Sequence, residues 1–421
     1  MGHFLFDMGA VDQRTIDEFA KESEKTGKGD TFKYAWVMDS LKDERERGVT
    51  IDLAFQKFET QKYSFTLIDA PGHRDFIKNM ITGASEADCA VVLVSGKPGE
   101  TEVGTGSGGQ TREHAFLLKT LGVNQVVCCI NKMDDPIIGF KEARFNEVKA
   151  EMEKLLKTVG FNVSKIRFIP VSGWLGDNLV KKSTNMPWYK GPTLKEALDE
   201  FEQPPKPTEK PLRMPLQDVY SITGVGTVPV GRIETGKMKV GDQVIVMPEG
   251  LTGEVKTIES HHVQMQVAES GDNIGVNLRG IGKGEIKRGS VLGPSNNPPS
   301  IAKAFRAQII VVHHPTAIAA GYTPVLHAHT AQVAATITEI ESKLDPRTGQ
   351  PVEEKPKSIK TGDSAIVIIK PLRALCIETF KEFPELGRFA LRDMGTTIAA
   401  GVVREITEKG VAETAKAVAK A

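Results

Sequence analysis

Two textures divide the chain. Over the first 205 residues, apolar runs at Phe65–Asp69, Cys89–Ser95, Gln125–Asn131 and Ile166–Val171 are short and rich in Val and Ile. That is the pattern of strands buried on both faces. Between them lie segments of helical spacing, such as Arg112–Leu121 and Glu142–Thr158. Strands alternating with helices predict βαβ units and a mostly parallel sheet. The run Gln203-Pro204-Pro205-Lys206-Pro207 cannot continue a helix and predicts a stiff linker. Beyond it, short alternating strands are punctuated by glycine turns at Gly224-Val225-Gly226, Glu234-Thr235-Gly236 and Val240-Gly241-Asp242. This texture predicts an antiparallel barrel. A second joint, Asn296-Asn297-Pro298-Pro299, precedes another β-rich stretch. The expected organisation is an α/β domain over 1–205, barrels over 206–298 and 299–410, and a frayed Ala- and Lys-rich tail over 411–421.

Composition narrows the function classes. Lys+Arg and Asp+Glu both number 54, so the formal net charge is zero. A generally basic nucleic-acid binder is excluded, while a local basic face is not. Hydrophobic residues at 40% exclude wholesale disorder. The longest apolar run, Cys89–Val94, falls far short of the ~20 residues of a membrane span. No signal peptide is visible. The four cysteines (Cys89, Cys128, Cys129 and Cys376) show no pairing pattern. They read as reduced thiols of a cytoplasmic protein.

Four polar segments carry candidate chemistry. Asp69-Ala70-Pro71-Gly72-His73 follows a strand, where a carboxylate faces the ligand crevice of a parallel sheet. The glycine lets backbone N–H approach a phosphate, although an ordinary Asp-Pro-Gly turn fits equally well. Asn131-Lys132-Met133-Asp134 follows a second strand. One carboxylate can accept both N1–H and N2–H of guanine, Asn131 can reach the opposite edge, and the Lys132 stem can lie along the base. Ser172-Gly173-Trp174 follows a third strand, where a backbone N–H could meet guanine O6 and the indole could cover base or sugar. Arg45-Glu46-Arg47-Gly48-Val49-Thr50 is a charged segment whose Thr hydroxyl could complete a Mg²⁺ shell.

With the stretches FKYAWVMDSLKDERERGVTID, FTLIDAPGHRDFIKNMITGASEADCAV, GQTREH, NKMDD, VSGWLGDN, KPLRMPLQDVY and GRFALRDMGTTIAAGVV, the chain resembles the elongation factor 1-alpha family almost end to end. The resemblance implies a GTPase domain followed by two barrels, with GTP or GDP and Mg²⁺ as cofactors. It implies GTP-dependent delivery of aminoacyl-tRNA to the ribosomal A site by a monomer that also meets a guanine-nucleotide exchange factor. Thr50 and Asp69 would hold Mg²⁺. Asp69, Ala70, Pro71, Gly72 and His73 would line the phosphates, with His73 orienting the attacking water. Asn131, Lys132, Met133 and Asp134 would read guanine with Ser172, Gly173 and Trp174. Asp218, Tyr220, Thr227 and Asn273 would form the pocket for the aminoacylated tRNA end.

One departure stands out. None of Gly27-Lys28, Gly96-Lys97, Gly236-Lys237 and Gly282-Lys283 is followed by Ser or Thr, so the phosphate loop G-x-x-x-x-G-K-[ST] is missing. The family's first strand, interior to its sheet, is missing with it. The expectation is an incomplete sequence of an active factor, with unpaired ladder groups and a groove in the sheet. The competing class is a nucleotide-independent module that binds tRNA or protein. Gly104-Thr105-Gly106-Ser107-Gly108-Gly109 fits G-x-G-x-x-G but stands well past its strand, so it predicts a flexible loop. His327 and His329 would share a strand face near His313-His314, without a structural-zinc partner at the right spacing.

Overall fold

A computed structural model describes residues 1–25, 30–39, 41–47, 49–106, 108–260, 263–282, 284–345, 348–412 and 414. Of the expected tail, only 411, 412 and 414 are among them; the rest lies outside the described residues. The chain forms two compact units, Met1–Gln203 and Pro204–Ala421.

The first unit alternates helix and strand as the pattern predicts. Helices α1 (Gly2–Asp7), α2 (Gln13–Lys25) and α3 (Lys42–Arg47) precede strands β1 (Ala54–Glu59) and β2 (Ser64–Asp69). Then follow α4 (Ile77–Glu86), β3 (Cys89–Ser95), α5 (Glu100–Thr105), α6 (Gln110–Leu121), β4 (Gln125–Asn131), α7 (Glu142–Val159), β5 (Arg167–Pro170) and α8 (Leu194–Leu198). Phe145, Val148, Met152, Leu155 and Leu156 line one buried stripe of α7, the spacing of an amphipathic helix. Gly160, at φ +99°, ends it in the left-handed conformation that glycine adopts without strain.

The sheet is in two pieces. β1 and β2 pair antiparallel, and β3, β4 and β5 pair parallel in that order. Among the described residues, no strand joins β2 to β3. The expectation that all four predicted strands are buried on both faces therefore holds for β4, whose Val126–Ile130 are fully buried, and for Phe168–Pro170 of β5, but not for β2 and β3. β2 is only half-buried, and Leu93 of β3 is 46% exposed. Each has a strand neighbour on one side alone. Phe4 and Leu5 of α1 are wholly buried in a core shared with Phe58 of β1 and with Val127 and Cys129 of β4. Such side chains stabilise by ~1.5–3 kcal/mol apiece. Here they supply apolar contact to both pieces of the sheet.

In the second unit, six strands close a barrel in the order Leu251–Ser260, Asn273–Arg279, Gly226–Arg232, Met214–Ile222, Val291–Pro294 and Gln243–Met247. Six more close another: Val325–Ala328, Arg388–Asp393, Thr396–Lys409, Ile301–Val311, Ser364–Pro371 and Ala331–Leu344. Closure removes the exposed edges that aggregate. The barrels pack as one body. Met247 and Val291 of the first share a core with Ile301, Cys376, Phe383 and Leu386 of the second. Arg213, 2% exposed, donates from Nε to Glu378 Oε1 at 3.0 Å, and from Nη1 and Nη2 to the backbone and side-chain oxygens of Asn297, both at 3.0 Å. No helix among the described residues is long and apolar enough to cross a membrane.

Candidate functional site

Because β4 and β5 run in parallel, the loops at their carboxyl ends are neighbours. Asn131 joins them: its Oδ1 accepts the Gly173 N–H at 2.8 Å. Met133 is wholly buried and pins the loop from below, its N–H donating to Val171 O at 3.3 Å. Lys132 sits at φ +65°, a conformation that is uncommon without glycine and marks functional loops. Its Nζ donates to Glu100 Oε2 at 2.6 Å, and the Ser95 hydroxyl donates to the same oxygen at 2.7 Å. These bonds hold the Glu100 carboxyl below its ordinary pKa, the Lys132 bond most of all. Asp134 is half-buried beside them.

Ser172 is wholly buried and its Oγ accepts from Leu175 N–H at 2.9 Å, which shapes the turn. The Trp174 indole stands edge-on to Tyr34, centroids 6.1 Å apart, with Lys33 Nζ 5.2 Å from its ring. Tyr34 stacks flat on His3 at 4.0 Å, and His3 Nδ1 donates to Gly173 O at 3.0 Å. No sequence signal pointed to His3, Tyr34 or Glu100, because their roles exist only where separate elements meet.

At the end of β2, Asp69 is partly buried, and burial raises its carboxyl pKa. The buried amino group of Met1 opposes this rise, and Glu44 adds to it. Asp39, 5% exposed, accepts the Thr50 hydroxyl at 3.2 Å. Burial pushes Asp39 up to about 6, with Glu44 and Asp69 contributing and the Thr50 bond opposing. Thr50 and Asp69 thus lie within the electrostatic reach of one carboxylate. Pro71 is buried, Ala70 half-buried and Gly72 exposed. His73 caps a short 3₁₀ turn, Arg74–Phe76, with Nδ1 accepting the Asp75 N–H at 3.3 Å. Its ring is 47% exposed.

In the first barrel, side chains alternate between the two faces of each strand. Tyr220 pairs with Val228, Asp218 with Val230, and Asn273 with Arg232. Asp218, Tyr220 and Asn273 therefore share the outer face. Thr227 pairs with Ser221 and, 5% exposed, takes the opposite parity. The structure brings three of these four side chains to one face and turns the fourth away.

The competing motifs resolve plainly. The glycine run from Gly104 bridges the end of α5 and the start of α6, separated in sequence from the end of β3 by the helix α5, and Ser107 lies outside the described residues. His327 and His329 do not alternate on one strand: the strand ends at Ala328 and His329 turns away at φ +41°. His329 Nε2 donates to Cys376 O at 2.8 Å. Among the described residues, no three His, Cys, Asp or Glu side chains are placed to hold a metal. Among the described residues no disulfide joins the four cysteines, and three of them are buried; burial pushes the Cys129 thiol up to about 12.

Comparison with known proteins decides the family. Residues 1–204 match the elongation factor Tu GTP binding domain, 226–293 match elongation factor Tu domain 2, and 304–404 match the GTP-eEF1A C-terminal domain-like family. Elongation factor 1-alpha of Cenarchaeum symbiosum (strain A) is 67% identical over 97% of this chain and 93% of its own length. The chain belongs to the elongation factor 1-alpha family. As a member it is a translational GTPase that delivers aminoacyl-tRNA to the ribosome. The elongation factor 1-alpha of Staphylothermus marinus is 57% identical over 96% of the chain and 92% of that protein. Among solved structures, the GTPase-like domain of S. cerevisiae Ski7, bound to GDP and inorganic phosphate, shares the fold at TM-score 0.80 and 18% identity, covering 96% and 93% of the two chains. The translation elongation factor SelB of Methanococcus maripaludis, in complex with a GTP analogue, has TM-score 0.67 and 23% identity, with 85% and 74% covered.

Proposed function

We propose that the guanine base is read where the Asn131 and Gly173 loops meet. The observation that carries this is the Asn131–Gly173 bond, which fixes the two loops against each other before any base arrives. Asp134 accepts the two guanine donors. Asn131, with Oδ1 committed to Gly173, offers its Nδ2 donor to the acceptor edge. Lys132, held by Glu100, flanks the base, and Ser172, Gly173 and Trp174 close the site on the other side.

Thr50 and Asp69 would hold Mg²⁺. They fit the ion: both offer oxygen, and the Thr50 hydroxyl donates its hydrogen to Asp39 and so turns a lone pair outward. A small protein share of the ligands suits Mg²⁺, which keeps water and phosphate oxygens. When bound, Mg²⁺ neutralises charge that builds on the transferring phosphoryl group. The Gly72 N–H would meet the γ-phosphate, beside Ala70 and Pro71. The exposed His73 ring is free to swing toward an attacking water and orient it. Asp218, Tyr220 and Asn273 present a polar and aromatic outer face to the aminoacylated tRNA end, with Thr227 supporting them from within the wall. A guanine-nucleotide exchange factor would reload the site, and the factor would act as a monomer.

Protection of aminoacyl-tRNA from deacylation tests this reading in the chain supplied with the family's phosphate loop. Protection with GTP, much less with GDP and none for uncharged tRNA supports it. Equal protection by the chain of residues 1–421, with or without nucleotide, overturns it in favour of a nucleotide-independent binding module.

A further inference from the structure

The Thr50 segment is held by contacts that involve no nucleotide. Glu44, on α3, is 2% exposed. Its Oε1 accepts the N–H groups of Ile51 at 2.9 Å and Asp52 at 3.0 Å, and its Oε2 accepts the Leu41 N–H at 2.9 Å. One buried carboxylate therefore closes a loop from residue 41 to residue 52 through three charge-assisted bonds, the strong class of hydrogen bond. The helix that carries Glu44 is itself docked. Its next residue, Arg45, donates from Nε to Asp39 O at 2.9 Å and lies 4.9 Å from the Phe19 ring. On the far side, Asn79 of α4 donates from Nδ2 to Ile51 O at 2.9 Å. Ile51 is thus fixed through both of its backbone polar groups, by two different helices. Thr50 immediately precedes it.

We propose that Glu44 is the positioning residue of Thr50. It touches no reacting atom. It sets where the hydroxyl stands by clamping the two amides that follow, and Asn79 completes the clamp from the helix after His73. Asn79 thereby ties α4 to the carbonyl of Ile51, the residue after Thr50. The proposal rests on the reading of Thr50 as a cation ligand.

The measurement is residue-resolved amide hydrogen exchange on the whole chain. In Glu44→Ala, exchange at Leu41, Ile51 and Asp52 should quicken together by ~10-fold or more, the scale of a lost charge-assisted bond. The amides of Met152 and Leu155 in α7 should keep their rates. Glu44→Gln is the sharper variant because an amide has one acceptor oxygen. Turned to Ile51 and Asp52, it keeps those two slow and sets an N–H₂ donor against the Leu41 N–H, so Leu41 alone should quicken. Trypsin should cut after Arg47 faster in Glu44→Ala than in Glu44→Gln. Unchanged exchange at all three amides in Glu44→Ala overturns the proposal. So does a rise that extends equally to α7, which would mean general loosening of the fold. The Thr50 reading is judged separately: in the unsubstituted chain carrying the family's phosphate loop, Mg²⁺ with a non-hydrolysable GTP analogue should slow exchange at Thr50. Failure of that arm removes the cation role, whereas the variants alone decide the clamp.

Discussion

The side-chain oxygen of Asn131 accepts the backbone N–H of Gly173 at 2.8 Å across 42 residues of sequence. A Cβ at position 173 would stand 3.2 Å from that same oxygen, so glycine keeps the approach unstrained. Asn131 therefore serves the loops as a strut besides the base-reading role proposed for it. The two uses separate by substitution. Asn131→Asp keeps the acceptor and removes the donor. It should leave Gly173 slow to exchange while guanine-nucleotide affinity falls. Asn131→Ala leaves the Gly173 amide without its partner, at a cost of ~1–3 kcal/mol. It should quicken Gly173 exchange as well as weaken binding. Identical exchange at Gly173 in both variants would refute the strut.

Asp134 decides base choice if it accepts two guanine donors. Asp134→Asn sets a donor against a donor and leaves buried polar groups unpaired. Competition binding with the phosphate loop supplied should show weaker GTP and a relative gain for xanthosine triphosphate, whose C2 oxygen accepts. An unaltered preference for GTP would exclude Asp134 from base reading.

His73 contributes little to the fold, being half-exposed and, among the described residues, hydrogen-bonded within its own turn. His73→Ala should leave thermal stability and aminoacyl-tRNA binding near their original values. Ribosome-stimulated hydrolysis should fall by ~10² or more, the scale of a group that acts in the transition state. A loss under about threefold in single-turnover kinetics would place the water-orienting role elsewhere.

Acid sensitivity of the barrel unit should trace partly to His329. Burial lowers its pKa from the ordinary 6.5 to about 4, opposed by its bond to Cys376 O. Between those values the unfolded chain holds the proton and the folded chain does not, so stability falls as the pH drops from 6.5 to about 4. The full loss is about 3 kcal/mol. His329→Asn suits the left-handed backbone at φ +41° and cannot titrate. Urea unfolding across this range should show a slope reduced by about one proton in the variant. An unchanged slope would mean that other groups carry the acid sensitivity.

Arg213 fastens one barrel to the other through Glu378. Arg213→Met leaves Glu378 buried without its counter-charge, a loss of ~3–5 kcal/mol for such a pair. Replacing both, Arg213→Met with Glu378→Leu, should recover much of the stability, because it removes the orphaned charge. Denaturant midpoints of the single and double variants form the test. Equal destabilisation in the two would show that the ion pair does not hold the seam.

The strands β3 and β4 and the helix α7 were legible in the sequence. Apolar period and turn residues are local properties, and each strand's Val and Ile content declares it. The segments proposed to read guanine and to face the phosphates drew attention for the same reason: they stand directly after apolar strands, where a parallel sheet opens its crevice. Burial of β2 and β3 was misjudged, since burial depends on which neighbours a strand finds; the break in the sheet followed from the missing interior strand and not from any signal within β2 or β3. The union of the two barrels into one body was hidden as well, because Arg213 and Glu378 are 165 residues apart. Glu44 stands just before the charged segment Arg45–Thr50 and was not singled out, yet it is buried beneath three amides. A charged side chain reads as solvent-facing until the fold provides donors for it, and only tertiary structure brings Leu41, Ile51 and Asp52 to one carboxylate. The sequence by itself determined which residues are candidates for the chemistry. The fold decided which of them are held still, since holding requires partners from distant parts of the chain.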